Sequence, residues 1–456
     1  MRGDRAANCS ILAGFFIFIQ GREGYIMKII LHGAAQEVGR SCVEVRTKNN
    51  KILFDSGIKI GLEGEGLEET GSEYPVIKDV DKVNLVLLSH AHLDHSGALP
   101  LFNYMGMDAN IYCTSMTKFL CKLLLRDSLK IEILNERNPA YNKENIINVL
   151  DQMMNVNYRK KNVFNDCEFK FFDAGHIPGS ACILLKVDGK TLLYTGDFNT
   201  NESMLMPRAD VNYGEKIDIL ICESTYGDRN HPDRQKQKAD FLNTIKRTLE
   251  KGGSVIVPAF AVGRAQEILL ILSELKTRVP IYLDGMAKKV YSKILREEKF
   301  TKNIHKLRKF DNKVKFIKGF KRRQDAIKKQ GIFVTTSGMV SGGPVIEYIK
   351  YLWHDPNNAI LLTGYQAEGT GGRALLETGS MFLDGNKVHV KCLVKKYDFS
   401  AHAGLKGLKK YIMKIKPKVL VLNHGDPGAE GNLASWAKSM GMTVHATKKN
   451  EVIVVK

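Results

Sequence analysis

The sequence predicts an α/β protein, and the first architecture expected is a sandwich of β-sheets and helices. Short apolar, β-branched runs recur along the chain, and each ends at a polar or glycine-rich turn. Segments with the apolar spacing of helices lie between these runs. Several of the turns carry histidine or aspartate, and functional residues of α/β proteins gather just beyond the ends of buried strands.

Each short apolar run that ends at a turn predicts a buried strand. These runs are residues 28–31, 52–54, 86–88, 192–194, 217–222 and 419–422. Helices are predicted for residues 116–125, 144–154, 234–249 and 265–275. The chain has neither an internal repeat nor a Pro/Ser-rich linker, which favours a domain inserted into another domain over domains in series.

The composition is that of a globular protein with a strong positive charge. Its 456 residues, of which 44% are hydrophobic and 26% charged, exclude disordered, collagen-like and low-complexity chains. This length is enough for about two to three domains. The formal net charge of +19 favours a polyanionic partner, with nucleic acid ahead of an anionic membrane surface.

Most of the positive charge lies in residues 288–329. This segment holds seventeen Lys or Arg and four Asp or Glu, a net excess of thirteen. Such a run is either a solvated helical face or a nucleic-acid surface. Interleaved aromatic residues favour nucleic acid, although they would also suit the buried side of an amphipathic element. They are Tyr291, Phe300, Phe310, Phe316 and Phe320, and the basic triplet Lys321, Arg322 and Arg323 follows them.

The cysteines and the N-terminus bear on the cellular location. The eight cysteines form no C-x-x-C pair, and most lie in apolar runs, which indicates free thiols in a reducing, cytoplasmic compartment. An apolar run at residues 11–19 resembles a short signal-peptide core, but no small-residue cleavage site follows it. Because Met27 opens a strand-like run, residues 1–26 are predicted to be an extension outside the fold, with export as the less favoured alternative.

The most informative pattern is the cluster of His90, His92, Asp94 and His95 directly after a predicted strand. Imidazole nitrogens and a carboxylate oxygen are ligands that suit zinc. One tetrahedral ion rarely takes four ligands from so short a segment. The cluster therefore predicts two metal positions, one using His90 and His92 and the other using Asp94 and His95.

Two ions need further ligands, and three turns elsewhere in the chain offer them. His176 lies in a glycine-bounded loop, whereas Asp197 and His424 each follow a predicted strand. A carboxylate has two oxygens, so Asp197 is the natural bridging ligand. The other histidines lack such a context and are interpreted as ordinary structural residues; they are His32, His231, His305, His354, His389 and His445.

These residues, together with Asp55, resemble the metallo-β-lactamase superfamily. The segments at residues 33–42 and 54–57 resemble those of its β-CASP nuclease branch. Within that branch they are most similar to the archaeal and bacterial relatives of the nuclease subunit of the eukaryotic mRNA 3′-end cleavage machinery. Three further motifs of that branch are present, and they contain Glu223, His402 and His424. The resemblance covers nearly everything from residue 27 to residue 456.

The resemblance implies a four-layer αββα sandwich interrupted by an α/β β-CASP domain. The first part of the metallo-β-lactamase domain is expected at residues 27–227. The β-CASP domain is expected at 228–399, and the C-terminal part of the metallo-β-lactamase domain at 400–456.

The resemblance also implies two Zn²⁺ ions. One would be held by His90, His92 and His176 and the other by Asp94, His95 and His424, with Asp197 bridging them. Asp55 would orient the ligand loop. Water activated by the ions would attack phosphorus and leave a 5′-phosphate and a 3′-hydroxyl. His402 matches the position of the general acid, and Glu223 matches the carboxylate that orients it and keeps it charged.

Three loops of the expected β-CASP domain contain Arg264, Ser337 and Arg373, and the second and third of them are rich in glycine and hydroxyl groups. The first is a strand-to-helix turn, which presents backbone N–H groups to a phosphate. Each loop alone is a weak indication. In a β-CASP context they are expected to form the far wall of an RNA groove, with Arg264 and Arg373 contacting the RNA backbone.

The expected function is that of a zinc-dependent endoribonuclease in RNA processing or decay. His424 favours RNA over DNA, because it resembles the RNA-processing members at this motif. A 5′-to-3′ exoribonuclease with the same metal site stays open, whereas a non-catalytic RNA-binding scaffold is disfavoured because every ligand is present. RNA is the expected partner, with a homodimer and an RNA-processing or decay complex as further candidates and no membrane partner.

Overall fold

Three large β-sheets organise the computed structural model, which describes residues 27–60 and 71–455. In that part of the chain two sheets have seven strands, one has six, and a two-stranded hairpin stands apart. Helices pack against the strands, so the predicted α/β class is confirmed. The extension predicted at residues 1–26 lies outside the described residues.

The strands fall into two groups along the chain. The first group is β1 (Met27–Gly33), β2 (Cys42–Arg46), β3 (Lys51–Phe54), β4 (Leu85–Leu87), β5 (Asn110–Thr114), β6 (Met153–Val156), β7 (Asn162–Phe164), β8 (Cys167–Asp173), β9 (Ala181–Val187), β10 (Lys190–Tyr194) and β11 (Ile219–Glu223). The second group is β12 (Val255–Pro258), β13 (Ile281–Leu283), β14 (Val314–Phe316), β15 (Ile332–Thr335), β16 (Ala359–Leu362), β17 (Ser380–Leu383), β18 (Asn386–His389), β19 (Leu393–Lys396), β20 (Val419–Asn423), β21 (Thr443–His445) and β22 (Val452–Val455).

The helices occupy the connections between these strands. They are α1 (Leu93–Ser96), α2 (Leu99–Tyr104), α3 (Ser115–Leu134), α4 (Lys143–Gln152), α5 (Arg234–Glu250), α6 (Arg264–Leu272), α7 (Ala287–Ile294), α8 (Ile304–Asp311), α9 (Phe320–Ile327), α10 (Pro344–Leu352), α11 (Gly371–Thr378), α12 (Leu405–Ile415) and α13 (Pro427–Ser439). Short 3₁₀ helices cover Val80–Lys82 and Glu298–Phe300.

The order of the strands reveals an insertion. The first sheet has the order β22-β1-β2-β3-β4-β5-β6, and the second has the order β21-β20-β11-β10-β9-β8-β7. The third sheet, β14-β13-β15-β12-β16-β19, takes its strands from the chain between β11 and β20. The chain therefore leaves the first two sheets, builds a third, and returns to complete both.

The first two sheets pack face to face through their inner side chains. Apolar residues from both sheets form one buried cluster, in which Phe54 of β3 meets Tyr194 of β10 with ring centroids 5.0 Å apart. Burying an apolar side chain of this size contributes about 1.5 to 3 kcal/mol. This packing holds β3 and β10, whose ends carry site residues, in a fixed relation.

All the predicted strands and helices are present, with some ends displaced. The helix predicted at residues 144–154 ends at Gln152, because Met153 and Met154 begin β6 and pair with β5. The helix predicted at 265–275 ends at Leu272. Apolar spacing alone could not place these ends, since methionine and leucine suit either a helix or a strand.

The cysteines of the described residues are free and buried, as predicted; they are Cys42, Cys113, Cys121, Cys167, Cys182, Cys222 and Cys392. Across residues 27–60 and 71–455, every helix is too short or too polar to cross a lipid bilayer.

Candidate metal centre

The predicted ligands meet at one edge of the two-sheet sandwich. Strands β3 and β4 are parallel, and so are β10, β11 and β20. Asp55, His90, Asp197 and His424 lie within three residues of the carboxyl ends of β3, β4, β10 and β20, respectively. Because the carboxyl ends of parallel strands lie at the same edge of a sheet, residues far apart in sequence gather there.

One group of candidate metal ligands consists of His90, His92, His176 and Asp197, whose donor atoms all lie within 4.8 Å of one another. Nε2 of His90 and Nε2 of His176 lie 3.6 and 3.7 Å from Oδ2 of Asp197. Nδ1 of His176 donates a hydrogen bond to the carbonyl of Ala401 at 3.0 Å, so Nε2 is the nitrogen that faces the centre.

A second group consists of Asp94, His95, Asp197 and His424, again within 4.8 Å. Oδ2 of Asp197 lies 3.3 Å from Nε2 of His95, and Oδ1 of Asp197 lies 3.2 Å from Nδ1 of His424. Asp197 is therefore common to both groups, as a bridging carboxylate must be.

The donor set fits divalent metals. Nε2 of His90, His95 and His424 and Oδ1 of Asp197 are buried, and none has a hydrogen-bond partner among the described residues. A buried polar atom without a partner costs about 1 to 3 kcal/mol. Four such atoms turned toward one another are explained by ligation, and imidazole nitrogen with carboxylate oxygen is a zinc-type donor set.

The electrostatics of the centre favour the ligating forms of three histidines and of Asp197, whereas the pKa of His95 is raised, against the effect of burial, by the surrounding carboxylates. Burial lowers the pKa of His90, His92 and His176, which keeps the rings neutral and their nitrogen lone pairs available. Although burial opposes it, the neighbouring His424 and His95 hold the pKa of Asp197 well below its ordinary value. The carboxylate is therefore ionised at the centre of the cluster.

Asp55 lies behind the ligands and is fully buried. Its carboxylate accepts hydrogen bonds from Ser89 N–H and Oγ–H at 2.7 Å, from Tyr194 Oη at 2.7 Å and from His95 Nδ1 at 2.6 Å. The last contact fixes the His95 ring so that Nε2 faces Asp197.

Close backbone packing holds the ligand loop against the first sheet. The backbone N–H groups of Ser41 and Ser56 donate to the carbonyls of Asp94 and His95, both at 2.7 Å. A Cβ atom added at Gly57 would lie 1.7 Å from the Asp94 carbonyl oxygen, so only glycine fits there. The Phe54-Asp55-Ser56-Gly57 motif thus supports the ligands through both a side chain and a backbone.

His402 and Glu223 form a pair beside the metal ligands. Nδ1 of His402 lies 3.0 Å from Oε2 of Glu223 and 4.0 Å from Oδ2 of Asp197. Burial opposes protonation, but Glu223 and Asp197 together raise the pKa of His402 to about 9. Glu223 is itself held by the backbone N–H of Phe198 at 2.8 Å. A protonated imidazole is therefore fixed at the border of the cluster.

Models of known families match three parts of the chain. A metallo-beta-lactamase superfamily domain matches residues 45–225, a Beta-Casp domain matches residues 265–375, and a Zn-dependent metallo-hydrolase RNA specificity domain matches residues 387–447. A protein named "Probable RNase MJ4", from Methanocaldococcus jannaschii, is 42% identical over 94% of this chain and 100% of its own length. The chain belongs to the β-CASP branch of the metallo-β-lactamase superfamily.

Other relatives carry related names. A protein named "RNase aCSPSF2", from Saccharolobus solfataricus, is 34% identical over 94% of this chain and 84% of its own length. The "Transcription termination factor FttA" of Methanothermobacter thermautotrophicus is 32% identical over 88% of this chain and 68% of its own length. A crystal structure of a protein of unknown function from Enterococcus faecalis V583 covers 94% of this chain and 100% of its own at a TM-score of 0.60 and 16% identity, which shows the fold alone.

The three loops that contain Arg264, Ser337 and Arg373 meet beyond one edge of the six-stranded sheet of the insertion. They follow β12, β15 and β16, which are parallel neighbours. A Cβ atom added at Gly338 would lie 2.8 Å from the backbone nitrogen of Phe260, and one at Gly364 would lie 3.1 Å from its ring. A Cβ atom at Gly263 would lie 3.1 Å from Ile177, the neighbour of the ligand His176. This wall therefore adjoins the metal-ligand loops.

Arg264 opens α6 at this wall. Its Nε atom is buried without a hydrogen-bond partner among the described residues, and burial together with the neighbouring Arg234 lowers its pKa to about 10. Ser337 is half-buried and accepts from Ser341 N–H at 3.1 Å. Arg373 is 47% exposed and pairs with Glu377. Of the two predicted arginines, Arg264 is therefore the better candidate for binding an anion, because its buried Nε has no partner among the described residues whereas Arg373 is already paired with Glu377.

The basic segment at residues 288–329 differs in part from the prediction. Tyr291, Phe300 and Phe310 are buried in the hydrophobic core, and Phe316 packs against it, so these rings are not available for base stacking. Phe320 is 61% exposed. The aromatic interleaving is thus mainly the buried side of amphipathic elements.

The basic triplet divides into two kinds of residue. Lys321 and Arg322 are exposed on α9. Arg323 is turned inward, and its Nε donates to Oδ2 of the buried Asp284 at 2.7 Å. Arg323 therefore stabilises the insertion, a role that an unbroken run of charge in the sequence does not reveal.

Some residues of the site were not found from the sequence. Ser89 and Tyr194, which bond to Asp55, are ordinary strand-end residues without a distinctive spacing. His231, interpreted above as an ordinary structural residue, lies against the backbone of His402 at 3.1 Å. The sequence signal that could have identified His231 as a site residue is its position just after the motif that contains Glu223.

Proposed function

We propose that the protein is a zinc-dependent endoribonuclease that hydrolyses RNA phosphodiester bonds to 5′-phosphate and 3′-hydroxyl ends. One observation carries the proposal: the carboxylate of Asp197 belongs to two groups of metal-type ligands and also lies 4.0 Å from His402, which Glu223 holds. Metal ligands and a proton donor thus surround a single point, as hydrolysis of a phosphodiester with a poor leaving group requires.

The two ions are assigned to the two ligand groups. His90, His92 and His176 would hold one Zn²⁺, and Asp94, His95 and His424 would hold the other, with Asp197 contributing to both groups. When bound, such ions would polarise the phosphate and lower the pKa of a coordinated water.

The chain's own residues supply orientation and the proton. Asp55 fixes the His95 ring, and the Ala401 carbonyl fixes the His176 ring. Glu223 occupies Nδ1 of His402, so the Nε2–H of His402 is the donor for the departing 3′ oxygen. The raised pKa of His402 keeps that proton in place near neutral pH.

RNA is proposed to lie between the metal centre and the glycine-rich wall of the insertion. The N-terminus of α6 and the guanidinium of Arg264 offer donors to its phosphates, with Ser337 and Arg373 further along the wall. The exposed Lys321 and Arg322 add long-range attraction. The buried ion pair of Arg323 removes it from this set.

We also propose the wider context of the molecule. The domain limits are residues 27–227 and 400–456 for the sandwich and 228–399 for the β-CASP domain, in line with the strand order. Free buried thiols favour a reducing compartment and hence the cytoplasm. A homodimer or an RNA-processing or decay complex is the proposed assembly.

The test uses purified protein and RNA labelled at either end, together with a circular RNA of the same sequence. Endonucleolytic cleavage predicts fragments from the circle and internal products from both linear substrates. Release of mononucleotides from the 5′ end, with the circle intact, would support the exoribonuclease instead. Binding without any cleavage, after zinc is supplied and its content of about two ions per chain is verified by elemental analysis, would support the scaffold.

A further inference from the structure

His231 lies on the connection that leads into the β-CASP insertion, and its ring faces two hydrogen-bond acceptors. Nδ1 lies 3.0 Å from Oδ2 of Asp398, and Nε2 lies 3.1 Å from the backbone carbonyl oxygen of His402. A carbonyl oxygen can only accept, so Nε2 carries a hydrogen. Nδ1 faces the carboxylate of Asp398, so both ring nitrogens of His231 are engaged in hydrogen bonds.

Asp398 belongs to the opposite connection, which returns from the insertion. Its Oδ1 accepts from the backbone N–H of Ser400 at 2.9 Å, while Oδ2 faces His231. Although burial opposes it, the hydrogen bond from His231 lowers the pKa of Asp398, which keeps the carboxylate ionised. One imidazole ring thus joins the outgoing connection, the returning connection and the backbone of His402.

The surroundings of His231 leave the ring little freedom. Tyr226 packs against it edge to face, with ring centroids 4.5 Å apart. A Cβ atom added at Gly404 would lie 3.0 Å from Cδ2 of His231. Arg234 reaches the same loop and donates to the Ser400 carbonyl at 3.1 Å. The loop that carries His402 is therefore packed directly on the His231 ring.

We propose that His231 is a positioning residue that holds the proton donor His402 at the departing oxygen of the substrate, an inference that rests on the proposed ribonuclease function. Among the described residues, the His402 ring is hydrogen-bonded to Glu223 through Nδ1, and the place of its Nε2–H also depends on the backbone that follows Ser400. His231 restrains that backbone through the carbonyl oxygen of His402.

The physical consequence chiefly concerns proton transfer. Displacing a catalytic group by about 1 Å can cost roughly 100-fold in rate. The contact of Asp55 with His95 and the backbone anchors of the ligand loop lie outside the loop of the proton donor. His176 touches that loop through the Ala401 carbonyl. A change at His231 therefore acts chiefly on the proton donor. The leaving group of the substrate therefore distinguishes positioning from general support of the fold.

The first experiment compares two substrates in His231→Ala. RNA loses a poor alkoxide leaving group that needs a proton, whereas bis(4-nitrophenyl) phosphate loses nitrophenolate, which departs without one. We expect the kcat for RNA to fall about 10- to 100-fold with KM changed less than about threefold. The rate with bis(4-nitrophenyl) phosphate is expected to stay within about twofold of the parent rate, and so is the zinc content. The melting temperature is expected to stay within a few degrees of the parent value.

Asp398→Asn is the matched conservative variant. The amide oxygen still accepts from Ser400 N–H, and the amide nitrogen donates to Nδ1 of a neutral His231 whose Nε2–H still bonds to the His402 carbonyl. We expect its kcat for RNA to stay within about threefold of the parent. Gly404→Ala, which presses the loop against His231, is expected to resemble His231→Ala in milder form.

Several results would overturn the inference. These are an unchanged kcat for RNA in His231→Ala, an equal loss with both substrates, or an equal loss in Asp398→Asn and His231→Ala. Failure of the proposed function has a different appearance, namely a parent protein that hydrolyses bis(4-nitrophenyl) phosphate but no RNA. In that case His231→Ala and Asp398→Asn would be compared on methyl 4-nitrophenyl phosphate and on dimethyl phosphate. Only dimethyl phosphate loses an alkoxide, so only its hydrolysis rate responds to the position of His402.

Discussion

Nδ1 of His402 lies 3.0 Å from Oε2 of Glu223, so a carboxylate at the end of one strand holds an imidazole that lies 179 residues further along the chain. The pair adjoins the candidate metal ligands, and Asp197 belongs to the groups on both sides. Binding of metal and delivery of a proton are thereby assigned to different side chains, and substitutions should separate them.

Removing the proton donor should abolish turnover without removing metal. In His402→Ala we expect RNA cleavage to fall about 100- to 10,000-fold while zinc content stays at the parental level. Elemental analysis and end-labelled RNA assays on the same preparation provide the measurement. Loss of zinc in this variant as large as in Asp197→Ala would show that the roles are assigned wrongly.

Removing the shared carboxylate should affect metal and activity together. Asp197→Ala deletes both oxygens that face the two ligand groups, and the remaining histidines would be left to hold two like charges without a bridge. We expect loss of at least one zinc per chain and of detectable cleavage. A variant that keeps its full zinc content would refute the bridging assignment.

The exposed cations of α9 should contribute to the salt dependence of RNA binding. Each side chain that no longer neutralises a phosphate lowers the slope of log K against log salt concentration by about 0.7 for single strands. We expect Lys321→Gln combined with Arg322→Gln to reduce the slope by roughly 1 to 1.5. Filter binding between low and moderate salt measures it, and an unaltered slope would exclude this surface from the RNA path.

Arg323→Gln is the neighbouring control for that experiment. It removes the same charge, but from the ion pair with buried Asp284. We expect the salt slope to stay unchanged and the free energy of unfolding to fall by about 2 kcal/mol, because Asp284 loses a charged donor. Urea unfolding measures the second effect. A slope that falls as much as for Arg322 would place Arg323 on the binding surface after all.

Stability should depend on pH through Glu430. This side chain is fully buried in α13, and burial raises its pKa to about 8. The folded state therefore keeps a proton that the unfolded state releases at lower pH, so the free energy of unfolding falls as pH rises between about 4.5 and 8. The fall is at most about 1.4 kcal/mol per pH unit.

Glu430→Gln removes this proton linkage and keeps an acceptor for the backbone N–H of Gln36, which lies 3.2 Å from the carboxylate. Urea unfolding of both proteins at pH 5.5 and pH 7.5 provides the test. We expect the variant to gain on the parent as pH rises. Parallel stability curves would mean that Glu430 titrates at its ordinary pKa.

The sequence was sufficient for the α/β class, the strands and the ligand cluster for definite reasons. Buried parallel strands require short apolar runs, and ligands at strand ends occupy the turns that follow them, as at His90 and His424. The arrangement of His90 and His176 around one point depends on the order of strands in two sheets, which periodicity does not contain. The family resemblance supplied that part.

The side chains that were misjudged or missed depend on tertiary contacts. Arg323 and Arg322 are neighbours with the same charge, yet only the helical direction of α9 turns one toward Asp284. Tyr291 and Phe300 could equally have been exposed, since an amphipathic helix with many lysines resembles a nucleic-acid surface in composition. His231 acquires its two acceptors only because the chain returns to it after more than 160 residues.

The strand order of the sandwich also has a temporal side. The first two sheets each include strands that are synthesised after the insertion, and His402 and His424 also follow the insertion in the sequence. A ribosome-bound nascent chain therefore carries an incomplete catalytic centre until translation has passed them.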